Sequence, residues 1–273
     1  MIRKKPRLRL VEEEREFMRV AGRFNAQLMD FVRGHVQAGI TTAQIDKLIH
    51  DYTLDHGHIP ACLGYQGDVG PFPKSCCTSV NEVVCHGIPS DYELRDGDIV
   101  NVDLTSIVDG WHADQSETFL IGKCEPQAVA VTQAAFDCLY KAIDSLTPGC
   151  TISVIGETIV AYARRELGYG VVDKYVGHGI GIFFHQRPNI PHVPTRSSRS
   201  DRLDPGMCFT IEPMINLGTA STRLDRKDGW TVRTADGKLS SQFEHTILMT
   251  ESGPEIITPT KLGPQRGHRF ASN

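Results

Sequence analysis

The sequence has no apolar stretch approaching the ~18 residues that a membrane-spanning helix needs. Nor does it carry the run of ~7–15 apolar residues that follows the basic start of a secretory signal. The N-terminal segment from Met1 to Arg9 is basic, but Leu10 and Val11 lead straight into Glu12, Glu13 and Glu14. These absences set a cytoplasmic expectation with no membrane partner. An excess of positive charge is also missing. The 273 residues carry a formal net charge of −4, which leaves DNA binding without an electrostatic footprint. The eight cysteines, at 62, 76, 77, 85, 124, 138, 150 and 208, form no C-x-x-C pair and no compact framework. In a chain long enough to bury a core, they read as thiols in a reducing compartment.

What is present suits a globular protein, with 40% apolar and 23% charged residues. Residues 1–9 read as a basic flexible tail, with loose attraction to RNA or a ribosome surface as the sharper alternative. Residues 261–273 read as a second frayed end. Between them, residues 10–260 are expected to form one catalytic domain.

Residues 12–36 have helical periodicity, with acids in the first turn where the helix dipole favours them. Gly39 ends this segment, and Thr41 to Gln44 makes a capping box before a second helix carrying Ile45, Ile49 and Tyr52. The same order returns 110 positions later, in a helix over about 125–146 followed by a second one. Gly39/Gly149, Thr41/Thr151, Ile45/Ile155, Ile49/Ile159 and Tyr52/Tyr162 share one ungapped offset. This predicts an internal duplication, with halves of about 10–122 and 123–260. Strand-like sequence follows each helix pair, over 98–105 and 110–120, then over 207–216, 229–234 and 240–249. Asp236-Gly237 between the last two predicts a hairpin. Helices grouped before antiparallel strands predict an α+β fold, one curved sheet with helices covering its outer face.

In the strand around Asp103, the apolar face is Val100, Val102 and Leu104, so Asp103 points the other way. His112, Asp114 and Ser116 share a face by the same period of two. If Asp109-Gly110 is a two-residue turn, Asp103 pairs with Ser116 and Asp114 sits diagonally beside it. A four-residue loop would set the aspartates opposite each other. Either register brings two like charges close enough to call for a cation. Glu212 and Glu244 each sit in an otherwise apolar strand, costly unless paired or metal-bound. His178 lies among glycines in Gly177-His178-Gly179-Ile180-Gly181, where backbone and ligand can approach closely. Each half thus supplies one histidine and two carboxylates: His86, Asp103 and Asp114, then His185, Glu212 and Glu244, with His178 added.

The most specific segments are Asn81 to Pro89, Asn101-Val102-Asp103, His112-Ala113-Asp114, Gly177 to Gly181, Thr210 to Met214, and Gln242 to Thr246. Through them the chain resembles the type I methionine aminopeptidases of the pita-bread metallopeptidase fold, over about residues 11–257. The resemblance implies two divalent ions (Co, Mn, Fe or Zn) held by Asp103, Asp114, His178, Glu212 and Glu244. It implies removal of the initiator methionine from nascent polypeptides, by attack of a bridging hydroxide on the first peptide bond. Glu212 corresponds to the proton acceptor, His185 to the residue bonding the carbonyl or tetrahedral oxygen, and His86 to the one at the peptide nitrogen. Cys62, Tyr65, Phe72, Cys77, Phe184 and Trp230 match the methionine pocket, where sulfur and aromatic walls suit a thioether. Asn81, Val83 and Ser240 match a monovalent-cation site of some relatives. A ribosome contact is a further partner the resemblance allows.

The chain departs from the family pattern in its longer 66–72 loop, in Ile182-Phe183 and Gln186-Arg187 at the cleft rim, and in Ala113 beside Asp114. An Xaa-Pro aminopeptidase of the same fold is the nearest alternative. A non-catalytic binding relative is the more distant one, since such relatives lose metal ligands.

Overall fold

A computed structural model describes residues 7–271. Helix α1 (Glu12–Arg33) opens on its three acids, and α2 (Thr42–Asp55) opens on the expected capping box. Thr41 Oγ1 accepts the Gln44 N–H at 3.1 Å, and the Gln44 side chain accepts the Thr41 N–H at 2.8 Å. The strands that matter here are β1 (Ile59–Pro60), β2 (Cys77–Val80), β3 (Ile99–Val108) and β4 (Trp111–Leu120). Helix α3 (Pro126–Asp144) follows, then α4 (Ser153–Ile159), prolonged by wider π turns over Val160–Glu166. The second half adds β5 (Gly177–Gly179), β6 (Gln186–Ile190), β7 (Cys208–Ile211) and β8 (Met214–Asn216). It closes with β9 (Val232–Thr234), β10 (Ser240–Gln242), β11 (Glu244–Thr250) and β12 (Gly253–Ile256).

The main sheet has nine strands in the order β1-β3-β4-β11-β7-β5-β6, with β2 added on β3 and β12 on β11. Its two middle strands come from different halves. β4 follows β3 in the first half and β11 pairs β7 in the second, and the halves meet where Glu244 pairs with Ser116. That arrangement is the pseudo-two-fold repeat of the pita-bread fold, a curled antiparallel sheet in an α+β protein. The outward faces bury the apolar residues. Val100, Val102 and Leu104 pack with Met18, Leu28 and Ile45 of α1 and α2. Phe209, Ile211 and Ile247 pack with Phe136, Leu139 and Ile155 of α3 and α4. By the period of two, the opposite face of the same strands turns inward with its carboxylates.

Three details depart from the sequence expectations. The run over 207–216 is two strands in two sheets, because Pro213 cannot donate to a ladder and the chain turns out of the sheet at Glu212-Pro213. Asp236-Gly237 does not close a hairpin. β9 pairs with Thr222–Leu224 and Val83–Cys85, whereas β10 pairs with β8. Asp236 is occupied otherwise, accepting backbone N–H groups from Thr219 and Lys238. Thr151 does not cap its helix as Thr41 does, since it pairs with Arg202 in a short ladder and α4 starts at Ser153.

Of the expected N-terminal tail, residues 1–6 lie outside the described residues. Arg9 pairs with Asp204, and the Leu10 N–H donates to the Gly206 carbonyl at 2.8 Å. The C-terminal segment through residue 271 is not frayed. Backbone N–H groups of Lys261 and Leu262 donate to Asp30, and Phe270 packs edge-on to Phe136 at 5.4 Å. An aromatic residue with a hydrophobic seat nearby outweighs the polar composition around it.

Candidate active site

The β3–β4 turn fixes the first pair of carboxylates. Asp109 and Gly110 both take positive φ (50° and 85°), and Val108 pairs with Trp111 across them, which makes a two-residue hairpin turn. Asp103 therefore pairs with Ser116, and Asp114 with Thr105, one step along the same face. No bulge intervenes. Glu212 arrives at the end of β7 and Glu244 at the start of β11. His178 comes from β5, where Gly177 and Gly179 leave no room for a Cβ against Thr210 and Arg187 backbone.

These groups converge. Ligand atoms of Asp114, His178 and Glu244 all lie within 4.8 Å of one another. His178 Nε2 is 3.7 Å from Asp114 Oδ2 and 3.7 Å from Glu212 Oε1. Burial drives the electrostatics, and the carboxylates then repel one another. Asp103 is pushed up to about 7 by burial. Glu212 is pushed up to about 8 by burial and then by Asp103, while a hydrogen bond from Thr210 opposes the shift. Asp114 and Glu244 rise well above the carboxylate range, again from burial first and their neighbours' charge second. Burial holds His178 and His86 down to about 4, so both rings are neutral near pH 7.

Four acids so placed keep protons or hold cations. The donor set fits divalent ions: oxygen-rich, with one neutral imidazole. Glu244 Oε1 is buried with no hydrogen-bond partner among the described residues, as a ligand atom would be. Supporting bonds orient the set. The Thr105 hydroxyl donates to Asp114 Oδ1 at 2.7 Å, and the Thr210 hydroxyl donates to Glu212 Oε1 at 2.8 Å.

Above this acid floor lies a cavity of about 240 Å³. Cys62, Tyr65, Phe72, Cys77, Phe184 and Trp230 all line it. Phe72 and Trp230 meet edge to face at 5.2 Å, with the hairpin over 66–71 laid over Trp230 at Gly67. His185 stacks on Phe184 at 4.1 Å and faces His178 at 4.1 Å. Burial and the neighbouring histidines lower its pKa. His86, at φ 55°, stands edge-on to Tyr175 at 5.7 Å. The cavity wall also includes Cys85, Tyr175, Val176, Met214 and Gln242, none of which sequence reasoning assigned to the site. Cys85, Met214 and Gln242 lie within the specific segments Asn81 to Pro89, Thr210 to Met214 and Gln242 to Thr246, which could have flagged them; Tyr175 and Val176 lie outside those segments. Asn81 and Ser240 lie together away from this cavity, the Asn81 carbonyl accepting the Ser240 N–H at 2.9 Å. Val83 lies on the neighbouring strand, paired with Arg233.

A curled antiparallel sheet whose inner face gathers acids and a histidine suits a metal-dependent hydrolase, and the chain belongs to metallopeptidase family M24, whose profile matches residues 16–251. Its similar curated proteins within that family are methionine aminopeptidases. Methionine aminopeptidase A of Synechocystis is 49% identical over 251 residues, covering 91% of this chain and 96% of that protein. The Rickettsia prowazekii methionine aminopeptidase is 44% identical over 256 residues, covering 92% and 96%. The crystal structure of the Rickettsia enzyme superposes with a TM-score of 0.87, covering 92% of this chain and 99% of that one. Prolidase from Pyrococcus furiosus, 19% identical with a TM-score of 0.74 over 93% of this chain and 66% of its own, shares the fold.

Proposed function

We propose that this protein removes the N-terminal methionine from nascent polypeptides as a metal-dependent aminopeptidase with two divalent ions. The observation that carries the reading is a small cavity whose sulfur and aromatic walls share one lining with the buried cluster of acids. Such a cavity accepts one unbranched thioether side chain and leaves a free α-amine against the acids.

Asp103, Asp114, His178, Glu212 and Glu244 would hold the ions. Bound there, divalent cations supply Lewis-acid polarisation of the carbonyl and a water of lowered pKa. Glu212 accepts the proton of the attacking water and passes it to the departing amine. His185, in the cavity lining beside His178, donates a hydrogen bond to the carbonyl oxygen as it gains charge. His86, neutral and held by its fixed backbone, orients the peptide nitrogen. Cys62, Tyr65, Phe72, Cys77, Phe184 and Trp230 hold the methionine side chain and exclude water. Asn81, Val83 and Ser240 would provide a separate monovalent-cation site.

A cytoplasmic location, where nascent chains are available as substrates, goes with this activity, and the basic residues 1–9 would face the ribosome. Among the described residues, no helix is long and apolar enough to cross a membrane. Hydrolysis of Met-Ala-Ser and Ala-Pro-Ser with Mn, Co or Fe, repeated after chelation, tests the reading. Cleavage of the first peptide, lost on chelation, is expected. Cleavage of the proline peptide alone would overturn the methionine assignment.

A further inference from the structure

Glu212 is the last residue before the chain leaves the main sheet, and the β7–β11 ladder stops one residue earlier, at Ile211 opposite His245. The next residue, Pro213, has no N–H to offer. A backbone N–H at such a point still needs an acceptor. It finds one in a side chain from elsewhere: the Glu212 N–H donates to Nε2 of His192 at 3.2 Å.

His192 is completely buried. A ring nitrogen that accepts a hydrogen bond carries no proton, so the ring is neutral and its proton sits on Nδ1. That Nδ1 is turned toward the backbone carbonyl of Tyr175 and meets no acceptor in good geometry among the described residues. Tyr175 in turn sets its ring edge-on to His86. One buried imidazole is therefore interposed between the main chain at Glu212 and the segment that shapes the surroundings of His86. An apolar side chain would fill the same space without the cost of burying a polar ring.

We propose that His192 is a positioning residue for the reaction. By accepting the Glu212 N–H it fixes the exit of the chain at Glu212-Pro213, and so the place of the Glu212 carboxylate. By abutting Tyr175 it ties that placement to His86, at the other end of the proton path. The consequence for turnover rests on the aminopeptidase reading; the consequence for metal holding does not.

Three variants separate the contacts. His192→Gln places an amide oxygen where Nε2 stands, His192→Asn reaches only the Nδ1 side, and His192→Leu removes both. Mn²⁺ affinity of the metal-free protein is measured by calorimetry, and kcat and KM on Met-Ala-Ser by peptide hydrolysis. His192→Leu and His192→Asn are expected to bind Mn²⁺ roughly 10–100-fold more weakly and to lose kcat by a similar factor. KM stays within about twofold, because the methionine walls are untouched. His192→Gln recovers most of both losses. Wild-type Mn²⁺ affinity in His192→Leu would overturn the proposal, as would a His192→Gln no better than His192→Asn. If His192→Leu fails to fold, the comparison of Gln with Asn decides. If the wild type does not cleave the methionine peptide, the proposed function fails alone, and the Mn²⁺ measurements still judge His192.

Discussion

The hydroxyl of Thr210 donates to Glu212 Oε1 at 2.8 Å while accepting the backbone N–H of His178 at 3.0 Å. Its single proton is thereby committed to the carboxylate, and one buried side chain holds two of the proposed ligands at a fixed spacing. Thr210→Val keeps the shape and removes both bonds. Mn²⁺ affinity measured by calorimetry should fall by roughly tenfold, with Thr210→Ser close to wild type. Equal affinities for valine and serine would mean that the hydroxyl does not orient the pair.

Glu212→Gln keeps the size of the side chain and its contact with Thr210 but cannot take a proton. Turnover of Met-Ala-Ser should drop by at least about 10²-fold. Binding of methionine, followed by Trp230 fluorescence, should survive, because the cavity walls are unchanged. Turnover near wild type would remove Glu212 from the role of proton acceptor.

The metal-free protein should lose stability as pH rises. Asp103 and Glu212 have folded-state pKa values of about 7 and 8, above the ordinary carboxylate range, and Asp114 and Glu244 are raised as well. Groups shifted upward stabilise fully below their unfolded pKa of about 4, and that contribution is lost as pH climbs through the folded values. Buried His86 and His178, held down to about 4, act in the opposite sense only below about pH 6.5. Thermal unfolding after chelation should therefore show a Tm that falls between about pH 6 and pH 8.5. Added Mn²⁺ should raise Tm, and by more at the higher pH, since the ions compete with those protons. A metal-free Tm that is flat across this window would contradict the buried acid cluster.

Behind the sheet, Arg33 of α1 meets Glu117 of β4 in a buried ion pair, with Asp30 beside it. Arg33→Met would leave the buried Glu117 without the partner of its charge. Breaking a buried pair in this way costs about 3–5 kcal/mol, to be read from urea unfolding. Arg33→Met with Glu117→Leu should recover much of the loss. A single variant as stable as wild type would mean that water reaches this pair freely.

The inner face of β3 and β4 was legible because its cause is local. Two residues with positive φ at Asp109-Gly110 set the register, and the register alone sets Asp103 and Asp114 on one face. The buried glutamates were legible by their cost. His192 was not, because its meaning lies in the backbone N–H of Glu212, left beyond the end of the ladder and twenty residues away in sequence. The Asp236-Gly237 hairpin was misread for a related reason: turn chemistry is local, but β9 and β10 find partners in other parts of the chain. Phe270 shows the same limit at the C-terminal segment, whose polar residues suggested freedom while one ring found a seat on Phe136.

The seam between β4 and β11 has a consequence for the order of events during synthesis. When the first half emerges, it holds Asp103 and Asp114 but neither His178 nor the two glutamates. Glu244 comes last and joins by pairing with Ser116, a strand made long before it. No chain made only as far as β10 can assemble the acid floor, so the hydrolytic centre switches on only when β11 closes the seam.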